Sequence, residues 1–326
     1  MHPAFSVLFL TTLIGIGQGM LVALVAGQWY FVIGATDIQE SGTFYAAGSA
    51  VALVFLGLGL LASFFHLANP QRAWRAAARW RTSWLSREVI VLPMVMGLAA
   101  IYGAVHWFDI DPVLWTFTNQ KSLHLTMAVG FLVAGASFLL FICTGMIYAC
   151  VKFIREWASW WTVINFTLMG LASGFTLAAV FAAAMGSTLG SFLLGDAIVL
   201  TLAALVTRAF QQWRNRNLRM PSTLKSAIGV HHPQIRQLSR GFLGEAFNTK
   251  EFFHPGGREI VNGLVVFYLI FGFVLPALLL AAGLAVREPP FLWMAFASQY
   301  LGLLAERWVF FAQGRHVQNL YYQKMA

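Results

Sequence analysis

The sequence predicts an all-α fold, a polytopic membrane protein built as a bundle of eight transmembrane helices. Three observations carry this. Of the 326 residues, 59% are hydrophobic and only 10% are charged, against about 25% charged in an average soluble domain. The apolar residues form continuous runs rather than alternating ones, which argues against a membrane sheet. The runs also have spanning length, about 20 residues for ~30 Å of hydrocarbon. A soluble helical protein would have to bury several such uncharged runs in one core. The whole chain, 1–326, therefore reads as a single membrane domain, and length gives no domain count.

The first run covers residues 5–33. It follows Met-His-Pro without a basic leader and is too long for a signal-peptide core, so it reads as a retained first helix. Its Gly15, Gly17 and Gly19, with Gly48, Gly57 and Gly59 of the second run (44–67), suit close helix approach in lipid. Gln18 lies between the first set and reads as an interhelical hydrogen bond. The second run ends in His66, and the third, 88–108, opens on Glu88. Runs at 122–149, 159–185, 190–210, 260–285 and 291–313 complete the set. They hold Asn165, Asp196, Asn262, Gln299, Glu306 and Arg307. Glu306 and Arg307 read as a structural pairing with neighbouring helices, or as part of a proton path. Asp196 lies near the far end and reads as solvated.

The net charge of +9 invites a nucleic-acid reading until the charges are located. With eight spans both termini share one side, and that side carries 19 of the 21 Lys and Arg. This is the positive-inside bias of a protein in the inner (cytoplasmic) membrane with cytoplasmic termini, and no nucleic acid is needed to explain it. The long connection, 211–258, lies on the same side and contains His231-His232-Pro233, GFLGEAFN and TKEFFHPGG. It is longer than a connector requires. It reads as a cytoplasmic docking loop for a soluble partner. Cys143 and Cys150 are seven apart on one expected helix and cannot make a four-cysteine site, so the chain alone holds no cysteine-ligated iron–sulfur cluster. They read as packing residues.

The segment Leu61–Ile90 is where chemistry concentrates. An ionisable residue stands at each of two membrane entrances, His66 and Glu88, with Arg72, Arg75, Arg79, Arg81 and Arg87 between them. Quinone reduction moves two electrons and two protons. The protein must hold the ring, hydrogen-bond its oxygens and connect them to water. An imidazole and a carboxylate at a membrane entrance can do that. His66 and Glu88 end one span and begin the next, so antiparallel neighbours can bring them across one pocket, with Trp74, Trp80 and Trp84 as its walls. The plainer alternative is that His, Trp and Arg are interfacial anchors. Glu88 would then pair with Arg87 or compensate a helix dipole. Haem b is a weaker alternative. His106 and His124 flank the outer ends of the third and fourth spans and are the donor type for bis-histidine ligation. That position lies across the membrane from the arginine-rich side, which speaks against it.

Several blocks together carry a resemblance that covers essentially the whole chain. These are MHPAFSVLFLTTLIGIGQGM, HLANPQRAWRAAARWRTSWLSREV, and SAIGVHHP followed by FNTKEFFH. In them, and in its eight spans, the sequence resembles the DmsC-type membrane anchors of molybdopterin oxidoreductases. It is most similar to the SoeC branch, from cytoplasm-facing sulfite dehydrogenases. The resemblance implies an anchor for an iron–sulfur electron-transfer subunit and a molybdopterin catalytic subunit, which hold the metal centres. It also implies exchange of electrons with quinone, ubiquinone or menaquinone, dissolved in the membrane lipid. The family's quinol-linked histidine and glutamate match His66 and Glu88, and Arg72, Arg81 and Trp84 complete the expected ring-binding set. A sulfite dehydrogenase would reduce quinone and a dimethyl sulfoxide reductase would oxidise quinol; the residues do not set the direction. A purely structural anchor and a secondary transporter are the other readings. Against a transporter, most ionisable residues lie toward helix ends rather than at mid-membrane.

Overall fold

A long uncharged run in hydrocarbon must satisfy its own backbone N–H and C=O groups, and the helix does so within one segment. The computed structural model describes residues 3–36, 39–116, 122–219, 222–235, 257–286 and 288–317, and each expected run is helical in it. The helices are α1 (Phe5–Val32), α2 (Gly42–Phe64), α3 (Trp84–Trp107), α4 (Leu125–Ala149), α5 (Trp160–Ala184) and α6 (Gly190–Arg216). A short α7 (Leu224–Ile228) follows, then α8 (Gly257–Leu269), a π turn (Ile270–Val274), α9 (Leu275–Val286) and α10 (Pro289–Ala312). Among the described residues seven rods are long and apolar enough to cross a membrane, the α8–π–α9 rod being one. The eighth, α10, has the length but carries Gln299, Glu306 and Arg307, and it falls outside that set.

Serine side chains set three of the starts. Ser41, Ser83 and Ser159 accept hydrogen bonds from the backbone N–H groups of Phe44, Ser86 and Trp161, which satisfies orphan donors of the first turn. Capping at Ser83 starts α3 one turn earlier than its apolar run, so Glu88 is the fifth helical residue, past the first turn where a dipole acts most strongly. At the same end of the bundle, α6 continues past the expected 210 to Arg216. Between α3 and α4 lies a two-stranded antiparallel hairpin, β1 (Val113–Thr116) with β2 (Ser122–His124), whose second strand replaces the first three residues of the expected fourth span, 122–149. The π turn precedes Pro276. Proline lacks the N–H that would bond the Gly272 carbonyl and its ring crowds that carbonyl, and the wider turn absorbs both.

The helices α1 and α5 form the centre of the bundle; α1 lies against α2, α4 and α5, and α5 also against α6 and α10. Missing side chains set the closest approach. A Cβ on Gly174 of α5 would lie 2.2 Å from the Gly19 carbonyl carbon of α1, and one on Gly302 of α10 would lie 2.1 Å from the Gly272 nitrogen. Gly57 differs from the other expected small-residue contacts, since a Cβ there meets nothing within 4 Å. Gln18 is buried, but in place of the expected interhelical hydrogen bond its Oε1 has no partner among the described residues. Cys143 is a buried packing residue, and Cys150 is exposed. His231 and His232 of the long connection are exposed. GFLGEAFN and all of TKEFFHPGG but its last glycine lie outside the described residues.

Candidate functional site

The expected site is built on the ends of α2 and α3 and the link between them. The link folds as a 3-10 segment, Pro70–Arg79, packed on α3. One turn, in which the Thr82 and Ser83 N–H groups donate to the Arg79 carbonyl, then leads into α3. Arg87 fixes that corner: its Nε donates to the Trp80 carbonyl and its Nη2 to the Arg81 carbonyl, both at 2.9 Å. Its guanidinium also lies 4.1 Å from the centre of the half-buried Trp84 ring. The Arg87–Glu88 pairing of the plainer alternative is not made among the described residues. Arginine 87 spends its donors on backbone carbonyls, a fit for its planar fork.

Glu88 turns into the bundle, toward α4. It is buried, and Thr144 Oγ1 donates to its Oε1 at 2.5 Å. Among the described residues Oε2 makes no hydrogen bond and no cation pairs with the carboxyl. A carboxyl held by one neutral hydroxyl at membrane depth is costly unless used, and is suited to gaining and losing a proton. His66 lies just beyond α2, two residues past Phe64, and is exposed. Partial burial holds its imidazole below the ordinary range, while a hydrogen bond to the Ala62 carbonyl works the other way. A neutral imidazole carries one donor and one acceptor nitrogen, so it can meet a ring oxygen or a hydroxyl.

The two groups stand at the same end of consecutive antiparallel helices, but no hydrogen bond or ion pair joins them among the described residues. Arg72 and Arg81 are exposed, and Arg81 lies 5.4 Å over Trp80. Trp84 packs against the main core, whereas Trp74 and Trp80 face outward.

A second polar cluster lies at the same end of the bundle, and only part of it was legible in advance. Glu306 of α10 forms ion pairs with Arg208 Nε of α6 at 2.6 Å and with Arg307 Nη1 at 3.1 Å, all three side chains being buried. Arg208 Nη1 also donates to Gln211 Oε1, which accepts from Asn165 of α5 as well. The arginine of α6 was missed because it stands at the end of an apolar run, where a loop arginine is ordinary. Tyr148, one turn after Thr144, stacks on Phe166, and the Arg307 guanidinium sits 3.6 Å from the centre of that same Phe166 ring. Aromatic packing thus connects the Glu88 helix pair to this charged cluster.

The opposite end holds the histidines weighed for haem. His124 Nδ1 meets Asp111 at 3.1 Å, and the other Asp111 oxygen accepts from the Thr126 N–H. His106 is stacked on Tyr45 and edge-on to Tyr102, whose hydroxyl donates to Gln28. His124 is thus held by Asp111, whereas His106 makes ring contacts and its buried Nε2 has no hydrogen bond among the described residues. Asp196, expected to be solvated, is half-buried and accepts from the Tyr30 hydroxyl.

Among known proteins, a family model described as "DMSO reductase anchor subunit (DmsC)" matches residues 1–313. The chain is also 49% identical over 326 residues, all of both chains, to a sulfite dehydrogenase subunit of Allochromatium vinosum.

Proposed function

This chain belongs to the family of DMSO reductase anchor subunits (DmsC), and on that premise we propose that it is the quinone-reactive anchor of a sulfite-oxidising molybdenum complex. It passes electrons between an iron–sulfur subunit and the quinone pool, and the molybdopterin subunit oxidises the substrate. Sulfite as that substrate rests on the full-length likeness to a sulfite dehydrogenase subunit. The reading for this chain's own residues rests on one observation: a buried glutamate in α3, held by a single hydroxyl, one helix turn inside a membrane entrance that also carries a histidine. In this reading Glu88 relays protons through the oxygen that Thr144 leaves free. His66 accepts from a quinol hydroxyl or, once protonated, donates to a quinone oxygen. Arg72, Arg81 and Trp84 hold the ring at the membrane surface. The quinone supplies the two-electron couple.

All eight rods span in this proposal, and the internal ion pairs of α10 support its place in lipid, since Glu306 is shared by two arginines. The arginine-rich end faces the cytoplasm, where the 211–258 connection docks the soluble subunits. The test is replacement of Glu88 by Gln and His66 by Asn in the assembled complex. Quinone-coupled turnover should fall at least about tenfold, roughly 1.4 kcal/mol of barrier, while turnover with an artificial dye that takes electrons from the partner persists. Unchanged quinone kinetics in both variants would leave the structural-anchor reading in its place.

A further inference from the structure

The link between α2 and α3 has a chemistry that quinone exchange does not use up. A 3-10 helix has three residues per turn, so positions three apart stack in rows. In Pro70–Arg79 one row carries Arg72 and Arg75 and the next carries Trp74, with Ala77 and Trp80 following in register. The third row is Ala73, Ala76 and Arg79; its alanines are half-buried, as is Ala77, and Arg79 at its end is exposed. Trp74 and Trp80 are 71% and 53% exposed, and Arg75 and Arg81 lie over them at 5.7 and 5.4 Å.

Arg72, Arg75, Arg79 and Arg81 are all exposed, and among the described residues none forms an ion pair. No Asp or Glu occurs between Leu61 and Arg87. Phe64, Phe65 and Leu85 at the flanking helix ends are exposed as well. The result is a strip about 20 Å long, at ~2 Å per residue, with a cationic edge beside an aromatic one. It lies at the level where two apolar helices leave the membrane.

We propose that this strip is a seat for anionic phospholipid, with Arg75 and Arg79 on the headgroup phosphate and Trp74 and Trp80 at the glycerol and upper acyl level. Guanidinium forks match phosphate geometry. Tryptophan prefers the boundary between headgroup and acyl chain. An anionic leaflet attracts uncompensated arginines close to its surface. A free phosphate would account for the arginines alone, and an acidic protein surface would not call for outward tryptophans. The lipid accounts for both. The proposal goes beyond the quinone reading and uses different residues of the same link, so either can fail alone.

The test uses the purified complex, exchanged into phosphatidylcholine nanodiscs doped with phosphatidylglycerol and read by native mass spectrometry of the released complex. The wild-type complex should retain phosphatidylglycerol in preference to phosphatidylcholine, and the preference should weaken as salt rises. Arg75→Gln with Arg79→Gln should lower that retention about tenfold, whereas Arg75→Lys with Arg79→Lys keeps most of it. Dye-linked and quinone-linked turnover should be unaffected in the lysine pair. Absence of any phosphatidylglycerol preference in the wild type would overturn the proposal without recourse to variants. So would a glutamine pair that keeps its lipid but loses the iron–sulfur subunit, which would make the strip a protein-docking surface.

Discussion

Thr144 donates to Glu88 from the neighbouring helix, and the carboxyl has no ion-pair partner among the described residues. Thr144→Val keeps the shape and removes the donor. It should lower quinone-linked turnover about tenfold, the size of an unmet need of a buried polar group, with dye-linked turnover intact and with rescue by Thr144→Ser. Steady-state kinetics with both acceptors decide it, and equal quinone kinetics in the valine variant would free Glu88 from this contact. Glu40 makes a different residue-scale case at the other end. Burial raises its carboxyl, but Ser187 and Thr188 hydroxyls and the Thr188 N–H, at 2.7, 2.9 and 2.8 Å, outweigh that and hold it below the usual range. A carboxyl lowered on folding adds stability above its unfolded value and loses it as pH falls through the folded one. Thermal unfolding in detergent should therefore separate wild type from Glu40→Gln at pH 7, with the gap narrowing as the pH falls below the usual carboxylate range. A constant gap across that range would refute the linkage. His66 and Glu88 were legible because ionisable groups at the ends of apolar runs stand out. Thr144 was not, since a threonine in a helix carries no mark of its partner, and Arg208 was hidden by its place at a run's end.

At the scale of elements, helix existence follows from apolar run length, but the ends follow from polar detail. Ser83 and Arg87 carry α3 a turn further back than its apolar run, which changes Glu88 from a terminal residue to an interior one. The hairpin before α4 and the π turn before Pro276 are likewise local solutions that apolar run length cannot reveal. Glycine placement separates two effects that sequence leaves merged. At Gly174 a methyl group would meet the α1 backbone at 2.2 Å, whereas at Gly57 it would meet open space. Gly174→Ala should destabilise the bundle by about 1–3 kcal/mol through overpacking. Gly57→Ala should be neutral or stabilising by up to ~1 kcal/mol, since alanine loses less backbone freedom in a helix. Opposite shifts in the unfolding midpoint are expected, and shifts of the same sign would contradict this account of the α1–α5 contact.

For the whole molecule, the bilayer makes the fold class legible, because few folds survive without water for the backbone. Seven of the eight rods carry that signature openly. The last spends its charges inward, on Arg208 and within its own pair. Which helices sit at the centre was not legible, because hydrophobicity alone does not distinguish a lipid face from a packed one. The direction of Glu88 toward α4 escaped for the same reason. In the proposed function α3 is the meeting place of quinone and protons, with the redox chain of the soluble subunits docked beneath it. Photolabelling of the intact complex with an azidoquinone, followed by peptide mapping, tests this most directly. Label should concentrate between residues 61 and 95 and near Thr144, and excess unmodified quinone should suppress it. Label confined to α8–α10 or to a partner subunit would contradict the account.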